Sequence, residues 1–107
     1  MEQLTAAELS AWLGDAGRAK PLLLDVREPW EYEKARIEGS QLVPMGEIPA
    51  RLGELDPDQE VITICHHGGR SMQVAMFLEK SGFAKVHNLA GGVDSWSKTV
   101  DPSVPVY

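Results

Sequence analysis

A single cysteine opens the segment of this chain whose residue types best fit covalent chemistry. Cys65 is the only cysteine among 107 residues, and it begins the sequence Cys-His-His-Gly-Gly-Arg-Ser. The apolar run 61–64 precedes it and predicts a buried strand, so the thiol should lie at the carboxyl end of that strand, before a helix. A loop with two glycines and an arginine can turn its N–H groups toward an anion held at the sulfur. The spacing therefore predicts a thiol nucleophile directed into an anion-binding loop.

The residues that follow the cysteine favour the ionised thiol. Only the thiolate attacks, so a catalytic cysteine needs positive potential nearby. The amino end of the next helix, the loop N–H groups, Arg70 and a protonated His66 or His67 would supply that potential. Gly68 and Gly69 let the backbone turn where a side chain would clash. A lone cysteine at a strand end is more often a small buried apolar residue, but a merely buried thiol needs no cationic, glycine-rich loop.

Short apolar runs alternate with helix-like segments, a pattern typical of a parallel sheet with helices on both faces. Thr5 and Glu8 form a capping box and predict a first helix over 6–13. The other predicted helices are a short one that ends near 34, then 48–55, 71–81 and 93–98, and the predicted strands are 22–24, 41–43, 61–64 and 86–89. Residues 1–107 are predicted to form one domain, with 97–107 as an extended C-terminal tail that its prolines keep out of a helix.

Composition limits the kinds of partner. A net charge of -6 argues against nucleic acid, because the phosphate backbone would be repelled, although a small anion could bind in a locally positive pocket. One cysteine forms no internal disulfide, so a cytoplasmic protein is expected. The chain does not begin with a basic segment before an apolar stretch, and no run approaches membrane-spanning length. Neither secretion nor membrane association is therefore expected.

Four short motifs stand in order along the chain. They are Cys65-x-x-Gly68-x-Arg70-Ser71, Leu24-Asp25-Val26-Arg27-Glu28 with Glu31 following, Ile37-x-Gly39-Ser40, and Leu89-x-Gly91-Gly92 with Trp96 following. At this spacing they resemble the motifs of single-domain rhodaneses, the thiosulfate sulfurtransferases, and the resemblance covers residues 4 to about 98. It implies an α/β fold of three layers, α/β/α, with a central, mostly parallel sheet of about five strands. The active-site loop would lie at the carboxyl edge of that sheet.

The resemblance also implies ping-pong sulfur transfer without a cofactor. Cys65 would take the outer sulfur from a small anionic donor such as thiosulfate, release sulfite, and pass the sulfur from a persulfide to a thiol or a protein acceptor. Asp25 would brace the site and Arg27 would join a salt-bridge network, the alternative for both being a helix cap and a surface pair. The residues implied as catalytic are Cys65 and Arg70, and those implied as substrate-binding are His66, His67, Gly68, Gly69, Ser71, Asp25 and Arg27. No metal is expected, because the adjacent histidines lack further ligands beside them.

Two other functions stay open at this point. Cysteine phosphatases and arsenate reductases share the fold and combine a cysteine, a glycine-rich loop, an arginine and a serine or threonine. Four residues separate Cys65 from Arg70, whereas the phosphatase branch uses five, and the shorter loop fits one sulfur atom better than a tetrahedral oxyanion. The second alternative is a persulfide-carrying module that serves a protein partner, with small-molecule turnover incidental.

Overall fold

A parallel sheet of five strands forms the middle layer of the protein, which a computed structural model describes over residues 1–107. The strands are β1 (Glu2–Leu4), β2 (Leu22–Asp25), β3 (Gln41–Leu42), β4 (Val61–Ile64) and β5 (Val86–Leu89). Their spatial order is β1-β5-β4-β2-β3, and every neighbouring pair is parallel. The expected five-stranded parallel sheet is therefore confirmed, and all strands point their carboxyl ends at one edge.

Helices cover both faces of the sheet, each over its own apolar core. The helices are α1 (Ala6–Leu13), α2 (Pro29–Lys34), α3 (Ile48–Arg51), α4 (Gly69–Lys80) and α5 (Gly92–Thr99), with 3-10 turns at Met45–Glu47 and Leu52–Glu54. Residues of α1 and α5 pack in one core, and residues of α3 and α4 pack in the other. This arrangement is the three-layer α/β/α architecture. No helix combines the length and the apolar character needed to cross a membrane.

The central strand β4 is buried on both faces, which explains why three of its four residues are apolar. Ile62 and Ile64 point into the core beneath α1 and α5, while Val61 and Cys65 belong to the core beneath α4. Thr63 is the polar residue of the strand, and its hydroxyl donates to the carbonyl oxygen of Ser71 at 2.9 Å. The alternation along the strand therefore sets the thiol on the side of the sheet that α4 covers.

The structure differs from the sequence-based expectation at four places. The predicted helix 48–55 is divided into α3 and the 3-10 turn Leu52–Glu54. β1 was not predicted, and it pairs with β5 at the sheet edge. Helix α4 begins at Gly69 instead of 71, so the helix starts within the glycine-rich loop. Residues 97–99 complete α5, so the predicted start of the tail at 97 is wrong, and residues 101–104 form a turn closed by the Val104 N–H on the Asp101 carbonyl oxygen instead of an extended chain. The first proline of the tail comes only at Pro102, so no proline interrupts the helix before it, and Lys98 adds an ion pair with Asp94 one turn earlier at 3.1 Å.

Candidate active site

The thiol of Cys65 lies at the carboxyl end of β4 and is almost fully buried, with 1% of the residue exposed. Its Sγ accepts a hydrogen bond from the N–H of Gly68 at 3.0 Å, and the Ser71 hydroxyl lies 3.3 Å from it. Gly68 has φ 106°, a left-handed conformation that favours glycine. A Cβ there would press on the carbonyl oxygen of Leu89 at 3.3 Å. The loop therefore closes on the sulfur because residue 68 has no side chain.

The amino end of α5 holds the first carbonyl groups of the loop away from the sulfur. The N–H of Val93 donates to the carbonyl oxygen of Cys65 at 2.9 Å, and that of Asp94 donates to the carbonyl oxygen of His66 at 3.1 Å. Gly92 makes this approach feasible, because a Cβ at that position would fall on the same two carbonyl groups. These hydrogen bonds fix the direction of two loop peptides. Because their carbonyl groups point toward α5, their N–H groups point away from it.

Asn88 of β5 ties together the two groups that contact the sulfur. Its Nδ2 donates to the carbonyl oxygen of Gly68 at 3.1 Å and to Gln3 Oε1 at 3.0 Å. Its Oδ1 accepts from the hydroxyl of Ser71 at 2.5 Å, and the hydroxyl of Thr63 lies 3.3 Å from it. Asn88 is 1% exposed, so its amide group is shielded from water, although its partner Gln3 is exposed. This network holds the Gly68 peptide and the Ser71 hydroxyl in place beside the thiol.

The loop retains backbone donors that no protein group uses. The N–H groups of residues 66, 67 and 69–71 make no hydrogen bond to another part of the chain. Those of 69–71 belong to the first turn of α4, where N–H groups have no partner within the helix. Such a set of donors next to a nucleophile can bind the oxygens of an anion or a charged sulfur.

Arg70 is bound by a carboxylate of α2. Its Nη1 and Nη2 atoms donate to the two oxygens of Glu31 at 2.7 and 2.9 Å, a bidentate pair. The hydrogen bonds from Arg70 hold the pKa of Glu31 at about 2, against the raising effect of burial. The same contact raises the pKa of Arg70, so the pair is ionised throughout the neutral range. The Glu31 side chain is 5% exposed and that of Arg70 is 39% exposed.

Asp25 and Arg27 form a second ion pair, which is fully buried. Arg27 Nη2 lies 2.7 Å from Asp25 Oδ2, and neither side chain is exposed. Arg27 also donates to the carbonyl oxygen of Ala35 at 2.6 Å and to the Tyr107 hydroxyl at 2.6 Å. The surface-pair alternative for these residues is therefore wrong. Their burial also argues against direct contact with a substrate.

The two histidines of the loop are stacked. The ring of His66 lies between His67, with centroids 4.0 Å apart, and Tyr107, with centroids 4.1 Å apart. Burial, followed by the nearby charge of His67, lowers the pKa of His66. Ligand atoms of His66, His67 and Asp94 lie within 4.8 Å of one another. Parallel stacked rings do not aim their nitrogen lone pairs at one point, and Lys98 already binds Asp94 at 3.1 Å, so this arrangement does not favour a metal.

The sequence alone assigns no role in the site to three residues that the structure places there. Asn88 carried a signal, because it is a polar residue next to His87 inside the short strand segment 86–89, whose two ends are apolar. The sequence places Glu31 in a motif and near a helix start, but it carries no sign that Glu31 is the partner of Arg70. Tyr107 had no signal, since its hydroxyl reaches Arg27 and Glu31 only through the path of the folded tail.

Comparison with known proteins shows which family the chain belongs to. The sequence model for the rhodanese-like domain matches residues 5–99. The chain is 42% identical over 89 residues to the "Rhodanese-like/PpiC domain-containing protein 12, chloroplastic" of Arabidopsis thaliana, which covers 79% of this chain and 30% of that protein. It is 33% identical over 98 residues to a protein of Allochromatium vinosum named "Sulfurtransferase", which covers 92% of this chain and 90% of that protein. The chain spans 26% to 40% of the length of the first curated relatives it matches.

Two solved structures also share the fold of this chain. A crystal structure of a Staphylococcus saprophyticus protein is similar with a TM-score of 0.84 and 33% identity, over 94% of this chain and 97% of the other. A rhodanese-like domain protein of Staphylococcus aureus gives a TM-score of 0.85 at 27% identity, over 100% and 99% of the two chains. Both structures match the present chain along nearly its whole length.

Proposed function

Because the chain belongs to the rhodanese-like domain family, we propose that it is a sulfurtransferase that forms a persulfide on Cys65. The sulfur would come from thiosulfate or a similar small anionic donor and would pass to a thiophilic acceptor. Similarity to a protein named sulfurtransferase, over nearly the full length of both chains, supports the general reaction. A cytoplasmic location is part of the proposal, because the single thiol must stay reduced.

In the first half-reaction, the Cys65 thiolate attacks the outer sulfur of thiosulfate. A new S–S bond forms to Sγ, the S–S bond of the donor breaks, and its electron pair leaves with sulfite. In the second half-reaction, a thiolate or cyanide attacks the outer sulfur of the persulfide. That S–S bond breaks, the acceptor keeps the sulfur, and the Cys65 thiolate returns.

The environment of the sulfur carries this proposal. The Gly68 N–H already donates to Sγ at 3.0 Å, and the N–H groups of 66, 67 and 69–71 have no other protein partner. These donors are suited to stabilise negative charge on the outer sulfur of a persulfide. His66 and His67 contribute their backbone N–H groups, while Arg70 contributes charge at the mouth of the loop.

Another protein is the second candidate acceptor in the half-reaction that removes the sulfur from the persulfide. Several relatives contain a domain of this kind as 26% to 40% of a longer chain. Such an arrangement suits a persulfide that is handed to another protein segment rather than to a small thiol. A protein acceptor changes the second half-reaction and leaves the chemistry of Cys65 unchanged.

The first test of the function is the substitution Cys65→Ser, which nearly preserves the shape of the side chain. The variant should melt like the unmodified protein but form no thiocyanate from thiosulfate and cyanide above the uncatalysed rate, because a hydroxyl forms no persulfide. Thiocyanate formation is followed by absorbance of its iron complex, and circular dichroism confirms the fold. A Ser variant that retained activity would show that another group carries the sulfur.

A further inference from the structure

The cations of the site are each matched by a carboxylate. Arg27 pairs with Asp25 at 2.7 Å, Arg70 pairs with Glu31 at 2.7 Å, and Lys98 pairs with Asp94 at 3.1 Å. The lowered pKa of His66 keeps its ring neutral at pH 7. The sequence suggests a positive pocket for an anion, but the folded site contains guanidinium groups that are already neutralised.

Arg70 is the cation best placed to meet a donor. It belongs to the loop that surrounds the thiol, and its side chain is 39% exposed, whereas Arg27 is fully buried. The hydrogen bond with Glu31 raises the pKa of Arg70, and the charge of a Cys65 thiolate adds to that effect. A donor whose outer sulfur reaches Cys65 therefore brings its remaining charge close to this guanidinium.

Glu31 occupies the position beside the Arg70 guanidinium that an anionic donor would need, and hydrogen bonds hold it there. Its two oxygens both accept from Arg70, and they also accept from the N–H of Glu28 at 3.0 Å and the Tyr107 hydroxyl at 2.9 Å. Only 5% of its side chain is exposed. A sulfonate that displaced this carboxylate would leave a buried charge without its cation, which is costly. A sulfonate that did not displace it would lie beside a like charge.

We propose that Glu31 is a specificity-determining residue, whose carboxylate makes the site prefer singly charged sulfane-sulfur donors of the organic thiosulfonate class to doubly charged thiosulfate. This inference rests on the sulfurtransferase function proposed above. With a thiosulfonate, the Cys65 thiolate attacks the outer sulfur, the S–S bond breaks, and the donor leaves as an organic sulfinate with the electron pair. In this arrangement Arg70 is the counter-ion of Glu31. Its guanidinium therefore attracts a bound donor anion less strongly than an unpaired guanidinium would.

The test compares two donors that differ by one charge, thiosulfate and methanethiosulfonate, with cyanide as the acceptor. The measured quantity is the ratio of kcat/KM for thiosulfate to kcat/KM for methanethiosulfonate. Glu31→Gln keeps the shape of the side chain and removes its charge, and it should raise the ratio about tenfold through a lower KM for thiosulfate. Arg70→Ala leaves Glu31 unpaired and should lower the ratio. Glu33→Gln is the control, because it removes one charge from an exposed position of the same helix.

General loss of structure would reduce transfer from both donors and leave the ratio unchanged, so the ratio separates charge discrimination from folding. If Glu31→Gln folds poorly, Arg70→Ala tests the same inference in the opposite direction. A ratio that is the same in the unmodified protein and in both variants would overturn the role of Glu31 and leave the sulfurtransferase function intact. No transfer from either donor by the unmodified protein would overturn both.

Discussion

Asn88 is a buried polar side chain that can control the surroundings of the Cys65 thiol without contacting it. It accepts from the Ser71 hydroxyl and donates to the Gly68 carbonyl, and these two residues supply the groups that contact the sulfur of Cys65. A short displacement of the Gly68 peptide would remove the N–H that lies 3.0 Å from Sγ. Asn88 is therefore a positioning residue for the thiol.

Replacement of Asn88 by Leu should slow the loading of Cys65 with sulfur by about 10- to 100-fold, the usual effect of a small misplacement of a reacting group. The Gly68 carbonyl and the Ser71 hydroxyl would lose a buried partner, at about 1 to 3 kcal/mol of stability. Loading is followed by rapid-mixing mass spectrometry, and stability is measured by urea unfolding.

Gln3→Ala is the matched control for Asn88, because it removes the outer contact of the same amide and leaves the Gly68 contact in place. It should load sulfur at nearly the unmodified rate. Equal loading rates for Asn88→Leu and the unmodified protein would remove the positioning role of Asn88.

The loop chemistry was predictable from sequence because its residues are contiguous. Cys65, two glycines and Arg70 lie within six positions, so their types alone indicate an anion-binding loop. The pairing of Arg70 with Glu31 joins residues 39 positions apart, and that of Tyr107 with Arg27 joins residues 80 apart. Contacts of this kind depend on the path of the chain and carry no local pattern, so the neutralisation of Arg70 became visible only in the fold.

Among the secondary-structure elements, α5 is the one that shapes the loop from outside. Its first N–H groups bind the carbonyls of Cys65 and His66, and the approach requires a glycine at position 92. The paired glycines at 91 and 92 both have positive φ. The motif with two glycines therefore shapes the loop after Cys65 directly, in addition to following β5.

Gly92→Ala should displace the loop and cost about 4 kcal/mol of stability or prevent folding, because the new Cβ meets backbone atoms that cannot yield. Gly39→Ala is the matched control, since Gly39 also has positive φ but has nothing within 4 Å. The control should lose only about 1 to 2 kcal/mol, the cost of the left-handed conformation. Thermal melts of both variants give the comparison, and equal losses would show that Gly92 matters for its φ alone.

Element prediction succeeded where periodic or capping signals were strong. The capping box of Thr5 and Glu8 set the start of α1, and both of its hydrogen bonds are formed. β1 was missed because its three residues are too short and too exposed to show an alternation. α4 starts earlier than its apolar periodicity, because Gly68 and Gly69 adopt the helix-start geometry without contributing to the apolar face.

The fold as a whole is held together at the site by a network that joins distant parts of the chain. The Tyr107 hydroxyl donates to Glu31 at 2.9 Å and accepts from Arg27 at 2.6 Å. Burial, followed by the hydrogen bond to Glu31, raises the pKa of Tyr107 to about 12 despite the opposing effect of Arg27. The phenol therefore stays neutral and bridges the two ion pairs at physiological pH.

The low pKa of Glu31 predicts how stability depends on acid. The unfolded chain takes up a proton near pH 4.5, whereas the folded protein holds this carboxylate ionised down to about 2. Acid therefore favours the unfolded state within this window, and the stability contributed by the ion pair is present above it and lost as the pH falls through it. The loss should be roughly 2 kcal/mol, since Arg70 is partly exposed to solvent.

Urea unfolding of the unmodified protein and of Glu31→Gln, from pH 7 to pH 2, measures this contribution. The difference in unfolding free energy between the two proteins should be constant near neutral pH and should shift against the unmodified protein between pH 4.5 and 2. A difference that stayed constant across that window would show that Glu31 is protonated equally in both states.

Intact-mass spectrometry gives the most direct evidence for or against a Cys65 persulfide. The unmodified protein, incubated with excess thiosulfate, should gain the mass of one sulfur atom, and cyanide should remove it as thiocyanate. A proteolytic digest should assign the added sulfur to the peptide that contains Cys65. Cys65→Ser should gain nothing under the same conditions. An unmodified protein that keeps its original mass in thiosulfate and in methanethiosulfonate, or a Ser variant that gains the sulfur, would contradict the proposal that Cys65 carries it.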